Sequence, residues 1–225
     1  NSGGSVQSAE YLASMITGQF TGQLLLRQKW NAKLEKFITD DNPNALVDNF
    51  PDKINNTPIN SLRFSKVYIL TTKSSASASE LVINSLKPYI NVIQIGETTT
   101  GKNVGSVTLY DAIDFSKEKS NKNHAYAMQP IVVKTVNKDG FGEYEKGLVP
   151  NISLSEDFAN MGILGDANEL YLRTALNQIN GIGTLISPRF NRIHHKNFKD
   201  TKSITPLKTE MYLDRLPAGV LKSIE

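Results

Sequence analysis

The chain has 225 residues, enough to bury a sizeable core as one large domain or one domain with an appendage. Its hydrophobic content of 39% and charged content of 21% suit a folded globular protein and exclude a disordered one. Net charge is only +3 and the basic residues form no stripe interleaved with aromatics, so nucleic acid is not an expected partner.

The absence of cysteine excludes disulfides, thiolate-ligated metals and a cysteine nucleophile together. No apolar run reaches the roughly 18 residues of a membrane span. The sequence opens at Asn1-Ser2-Gly3-Gly4 without a methionine and reads as the interior of a longer protein, expected to be truncated at its N-terminus. The lack of a signal peptide therefore says nothing about compartment.

In chain order, Val6, Ala9, Leu12, Ala13 and Ile16 fall on one face of a helix that begins just after Gly3-Gly4. Residues 40–60, rich in Asn, Asp and Pro, predict a long surface loop. Val67 to Thr72 is a β-branched, apolar run with the character of a buried parallel strand. Small polar residues 73–79 follow, then a helical pattern through Leu81, Val82 and Leu86 that stops near Pro88. Asn91 to Gly96 is a second buried strand, so the three elements form a βαβ unit with a parallel pair and a right-handed crossover.

Val104–Asp111 and Gln129–Asn137 predict further strands around a Lys- and Asn-rich turn at 117–123, and the second closes on a turn at 137–140. Residues 147–154 read as extended. Asp166 as N-cap, Glu169 three residues on and Gly181 as stop mark a helix. From about residue 184 the composition turns basic and weakly patterned. The division expected is a core over 1–183 and a tail over 184–225 with a short helix near its end.

The segment 74–80, Ser-Ser-Ala-Ser-Ala-Ser-Glu, leaves a buried strand and enters a helix. Unsatisfied N–H groups at that junction favour a developing negative charge, and a hydroxyl there is expected to be exposed. This is the physical arrangement of a nucleophile elbow, although G-x-S-x-G is absent. Ser75, Ser77 and Ser79 all compete for the nucleophile role. The three histidines, His124, His194 and His195, lie in polar or basic segments and read as solvated loop residues rather than bases. Lys102 follows the second strand of the same βαβ unit, where the ends of neighbouring parallel strands build sites. A lysine becomes a base when desolvation favours its neutral form; as a residue type alone it also suits the surface.

The blocks Ser77-Ala78-Ser79-Glu80, Ile95-Gly96-Glu97-Thr98 and Gly101-Lys102, in this spacing, resemble the C-terminal processing (tail-specific) peptidase family. The opening Asn1-Ser2-Gly3-Gly4 resembles that family's N-x-G-G turn, Gly147 to Ile152 its G-x-x-P-D-I strand, and Leu164-Gly165-Asp166 its L-x-D helix start. The resemblance spans about residues 1–181 and is densest over 66–109.

It implies an α/β fold with a ClpP/crotonase-like core, parallel βαβ units packed on helices and additional β strands. It also implies a Ser77–Lys102 dyad, with an oxyanion hole from the Gly3 or Gly4 and Ala78 amides and with no metal or cofactor. The implied substrates are proteins or peptides bound near their C-termini. The implied setting is a bacterial periplasm or cell surface, with an upstream PDZ-containing part or a homo-oligomer as further partners.

One departure is clear: where many members carry a glutamine supporting the lysine, this chain has Ser106. Ser106 and Glu80 are the candidates for that support, Glu80 being equally a helix-cap partner. A catalytically idle scaffold and a crotonase-type acyl-CoA enzyme are the competing readings.

Overall fold

The computed structural model describes residues 1–156, 161–183 and 211–217. Helix α1 (Val6–Ile16) begins where Ser5 Oγ accepts the Ser8 N–H at 3.1 Å. A 3₁₀ turn (Gly18–Phe20) leads to β1 (Leu24–Lys29), α2 (Ala32–Asp41), β2 (Val47–Asn49) and the small hairpin β3 (Lys53–Ile54) and β4 (Thr57–Pro58). Next come β5 (Lys66–Thr71), α3 (Ala78–Leu86) and β6 (Asn91–Gly96), the βαβ unit. The pairing of β5 with β6 is parallel, with Leu70 opposite Ile95 and Thr71 opposite Gly96.

The chain continues through β7 (Val104–Ser106), β8 (Leu109–Tyr110), β9 (Ala127–Met128), β10 (Ile131–Val136) and β11 (Ile152–Ser153). Helix α4 (Leu170–Ile179) and β12 (Met211–Tyr212) complete the described elements. Strands β11, β6 and β5 make one all-parallel sheet. A second sheet has the order β12-β7-β10-β1-β2, antiparallel except where β12 meets β7. The result is a mixed α/β fold, as expected, with four α-helices among the described residues.

Burial explains the layering. Leu81, Val82, Ile83 and Leu86 of α3 join Ala9 and Ala13 of α1, Leu25 and Leu26 of β1 and Val133 of β10 in one apolar core. The small side chains of Ala9 and Ala13 let α1 lie close on α3. Ile95, Leu154, Tyr171 and Ala175 form a second cluster, which seats α4 on the other face of the parallel sheet. The sheet is therefore covered on both sides, which is why β6 reads as a nearly continuous apolar run.

Three expectations change. The stretch 40–60 is not one loop, since α2 ends at Asp41 and β2, β3 and β4 fall within it. The run 104–111 is two short strands rather than one. Helix α4 is capped by Glu169, whose carboxylate accepts the Tyr171 and Leu172 N–H groups at 2.9 and 2.8 Å. Asp166 instead closes the preceding turn, accepting from Asn168 N at 2.8 Å. Of the expected tail, residues 211–217 are described and include the strand Met211–Tyr212; the remainder of 184–225, with His194 and His195, lies outside the described residues.

Candidate active site

The sharp exit from β5 into α3 puts Ser77 at the N-cap of α3 with φ 64° and ψ −124°. A non-glycine residue holds that conformation only when its surroundings impose it, at a cost of about 1–3 kcal/mol. Two groups impose it. Glu80 Oε2 accepts the Ser77 N–H at 2.8 Å, the carboxylate half of a capping box. The hydroxyl makes no return bond: Ser77 Oγ is buried and has no hydrogen-bond partner among the described residues.

The second group is the turn at residues 1–4. Asn1 O accepts the Ala76 N–H at 3.3 Å, and Asn1 Oδ1 accepts the Gly3 N–H at 2.9 Å. A Cβ on Gly3 would stand 2.5 Å from Ser77 Cβ and 2.8 Å from Ala78 N. Only glycine admits this approach, and Gly3 has φ +100° besides. Here the expectation of an exposed hydroxyl fails: Ser77 is fully buried, because the glycine turn lies directly over the elbow. Of the two glycines expected as oxyanion donors, Gly3 already has its N–H engaged by Asn1 Oδ1. On the other side Ala78, as first helical residue, has an N–H without an intrahelical acceptor.

The competing serines have structural roles or no visible one. Ser75 Oγ accepts the Thr72 N–H at 3.1 Å and Ser75 O accepts the Thr100 N–H at 2.9 Å, tying the loop to the segment before Lys102. Ser79 is half-buried and donates its N–H to Ala76 O at 3.1 Å.

The Lys102 loop is held by the same carboxylate as the elbow. Glu80 Oε1 accepts from Thr99 Oγ1 at 2.5 Å and Gly101 N at 2.6 Å, while Oε2 accepts from Lys102 N at 2.8 Å. Glu80 is fully buried, so these donors take the place of its lost hydration. Thr99 Oγ1 in turn accepts the Leu148 N–H at 2.7 Å. Gly101, at φ +92°, lies so close to the next loop that a Cβ would fall 2.3 Å from Glu145 O. Lys102 itself is half-buried.

Ser106 Oγ donates to Met211 O at 3.2 Å and accepts from Gln129 Nε2 at 3.0 Å. Its hydroxyl is thus engaged by β12 and by the turn before β10. Nearby, Lys134 and Asn103 hold the Glu145 carboxyl down at about 2. Two residues not singled out from the sequence also shape the site, Thr99 by its side-chain bonds and Gln129 through Ser106, while Asn1 of the N-x-G-G turn does so through its amide oxygen. His124 sits in an exposed turn, 3.1 Å from Asp111 Oδ2 and away from these elements in the fold.

No helix among the described residues is long and apolar enough to cross a membrane. The sequence profile of peptidase family S41 matches residues 1–152. A search of curated proteins finds no match. Among solved structures, one from Bacteroides fragilis NCTC 9343 assigned as an S41 protease is similar at TM-score 0.61 and 25% identity, covering 81% of this chain and 43% of that one. The photosystem II D1 C-terminal processing protease is 18% identical at TM-score 0.42, covering 68% of this chain and 32% of that one. The chain spans less than half the length of either structure.

Proposed function

The chain belongs to peptidase family S41, and from that premise we propose a serine endopeptidase with Ser77 as nucleophile and Lys102 as general base. The observation that carries this reading is the Glu80 carboxylate, which binds the Ser77, Gly101 and Lys102 amides at once. It brings the elbow and the lysine loop to one buried point. A strained serine with an unpartnered hydroxyl beside a helix N-terminus adds to it.

In the proposed reaction the Lys102 amine nitrogen takes the Ser77 Oγ proton as Oγ bonds to the scissile carbonyl carbon. The carbonyl π pair moves onto oxygen, where the Gly4 and Ala78 N–H groups face it. The C–N bond then breaks and the proton passes from Lys102 to the departing amine. Water adds to the acyl ester, its proton going to Lys102, and collapse releases the acid and restores Ser77. Glu80 acts through the backbone it positions and touches no reacting atom.

Cleavage near substrate C-termini and work in the bacterial envelope or on the cell surface complete the proposal, and rest on family resemblance alone. Peptides with free and amidated C-termini test the first point, with faster cleavage of the free acid expected. Labelling by a fluorophosphonate tests the nucleophile. It is expected in the native protein and in Ser79→Ala, and lost in Ser77→Ala. Labelling that survives Ser77→Ala refutes the assignment. Lys102→Met is expected to slow acylation by roughly 10³-fold.

A further inference from the structure

The segment 211–214 lies beyond the residues matched by the family profile, yet it touches both halves of the proposed site. On one side β12 runs parallel to β7, the strand that follows Lys102, with Met211 opposite Gly105 and Tyr212 opposite Ser106. Leu213 N donates to Ser106 O at 2.9 Å and Ser106 Oγ donates to Met211 O. On the other side Tyr212 N donates to Gly4 O at 3.3 Å. The Asp214 carboxylate accepts Ser5 Oγ at 2.9 and 2.8 Å and the Gln7 N–H at 3.1 Å. Burial of Met211 and Leu213 in the main core fixes where this segment runs.

Gly4 needs such outside support. It has φ +145° and no side chain, and a Cβ built on it would meet nothing within 4 Å. Its direction is fixed by what is bonded before and after it. Before it stands the Gly3 N–H on Asn1 Oδ1; after it stand Gly4 O on Tyr212 N and Ser5 Oγ on Asp214. The Gly4 N–H lies between these two clamps.

We propose that Asp214, together with the Tyr212 N–H, is a positioning residue that aims the Gly4 amide at the oxyanion. This rests on the peptidase reading above. A misdirected donor weakens transition-state stabilisation while leaving ground-state contacts in place, so the loss falls on kcat.

The test compares Asp214→Ala, Asp214→Asn, Ser5→Ala and the Asp214→Ala/Ser5→Ala double variant. The readouts are kcat, KM, thermal midpoint and the Ki of a peptide boronate, whose tetrahedral adduct mimics the oxyanion. Asp214→Ala is expected to lower kcat about 10- to 100-fold with KM within about threefold, and to weaken the boronate in parallel. Asp214→Asn, which still offers an acceptor to Ser5, is expected to recover most of the loss. The double variant is expected to be no worse than the poorer single one. If Asp214→Ala does not fold, Ser5→Ala, which removes one hydroxyl, is read by the same measures.

Unchanged kcat overturns the proposal, and so does a loss that follows thermal stability alone while boronate affinity stays native. If the native protein shows no Ser77-dependent hydrolysis or boronate binding, the peptidase reading itself falls and takes this one with it.

Discussion

The backbone N–H groups of Ser77 and Lys102 donate to the same oxygen, Glu80 Oε2, each at 2.8 Å. A carboxylate one turn into α3 thereby sets the spacing between a strand-to-helix elbow and a loop from the neighbouring strand. Its other oxygen holds Thr99 and Gly101, so the grip on the lysine loop is threefold.

Removing that grip leaves buried donors without an acceptor. Glu80→Ala is expected to lower stability by about 3 kcal/mol and to reduce kcat more than KM changes. Glu80→Gln sets an amide donor among N–H groups and is expected to fall between the native protein and Glu80→Ala. Denaturant midpoints and steady-state kinetics on the three proteins check this.

Strain at Ser77 separates stability from activity. Glycine tolerates φ 64° without penalty, so Ser77→Gly is expected to gain about 1 kcal/mol of stability while hydrolysis drops to background. Ser77→Ala is expected to lose activity equally without the gain. Chemical denaturation of both variants gives the comparison.

The two glycines of the opening turn should differ sharply. A side chain on Gly3 meets Ser77 Cβ and the Ala78 amide, neither of which can move without shifting the elbow. Gly3→Ala is therefore expected to abolish Ser77 labelling and depress the thermal midpoint. Gly4→Ala meets open space and carries only the backbone penalty of its φ, about 1–2 kcal/mol. A labelling assay on both variants distinguishes them.

On the side of Asp214, Glu10 lines a cleft of about 320 Å³ with Asp48, Asp214 and Arg215. Burial, with repulsion from Asp48 and Asp214, pushes its carboxyl from 4.5 up to about 8, against the opposing pull of Arg215. The folded state thus holds a proton that the unfolded chain releases near 4.5. This contribution is full below that value and declines as pH rises to about 8. Glu10→Gln is expected to raise the thermal midpoint at pH 8 and to flatten its fall between pH 6 and 8. Calorimetric scans across that range test it.

The βαβ unit was legible because β6 and α3 are buried almost throughout, and Val67–Thr72, Leu81–Leu86 and Asn91–Gly96 stand out as apolar runs, although β5 is an edge strand on which Leu70 is exposed. Strand β1 did not stand out. Leu24-Leu25-Leu26 passes into Arg27-Gln28-Lys29, and Gln28 is buried only because Asp48 and Trp30 satisfy its amide. Helix α2 offers Leu34, Phe37 and Ile38 at helical spacing, a pattern barely one turn long, and of these only Ile38 is buried. At the site, the identities of Ser77, Glu80 and Lys102 could be singled out from local pattern and family resemblance. What places them is the set of bonds from Glu80 to residues 99, 101 and 102 and the close approach of Gly3 to Ser77, contacts between distant parts of the chain that no local pattern encodes.

Strand β12 is the last of the described strands in sequence order and occupies an edge of the five-stranded sheet beside β7. A chain emerging from the ribosome at roughly 5–20 residues per second exposes its serine and lysine blocks well before the strand that clasps Gly4. Synthesis order therefore leaves Gly4 and Ser5 without their Tyr212 and Asp214 partners until residues 212–214 have been made.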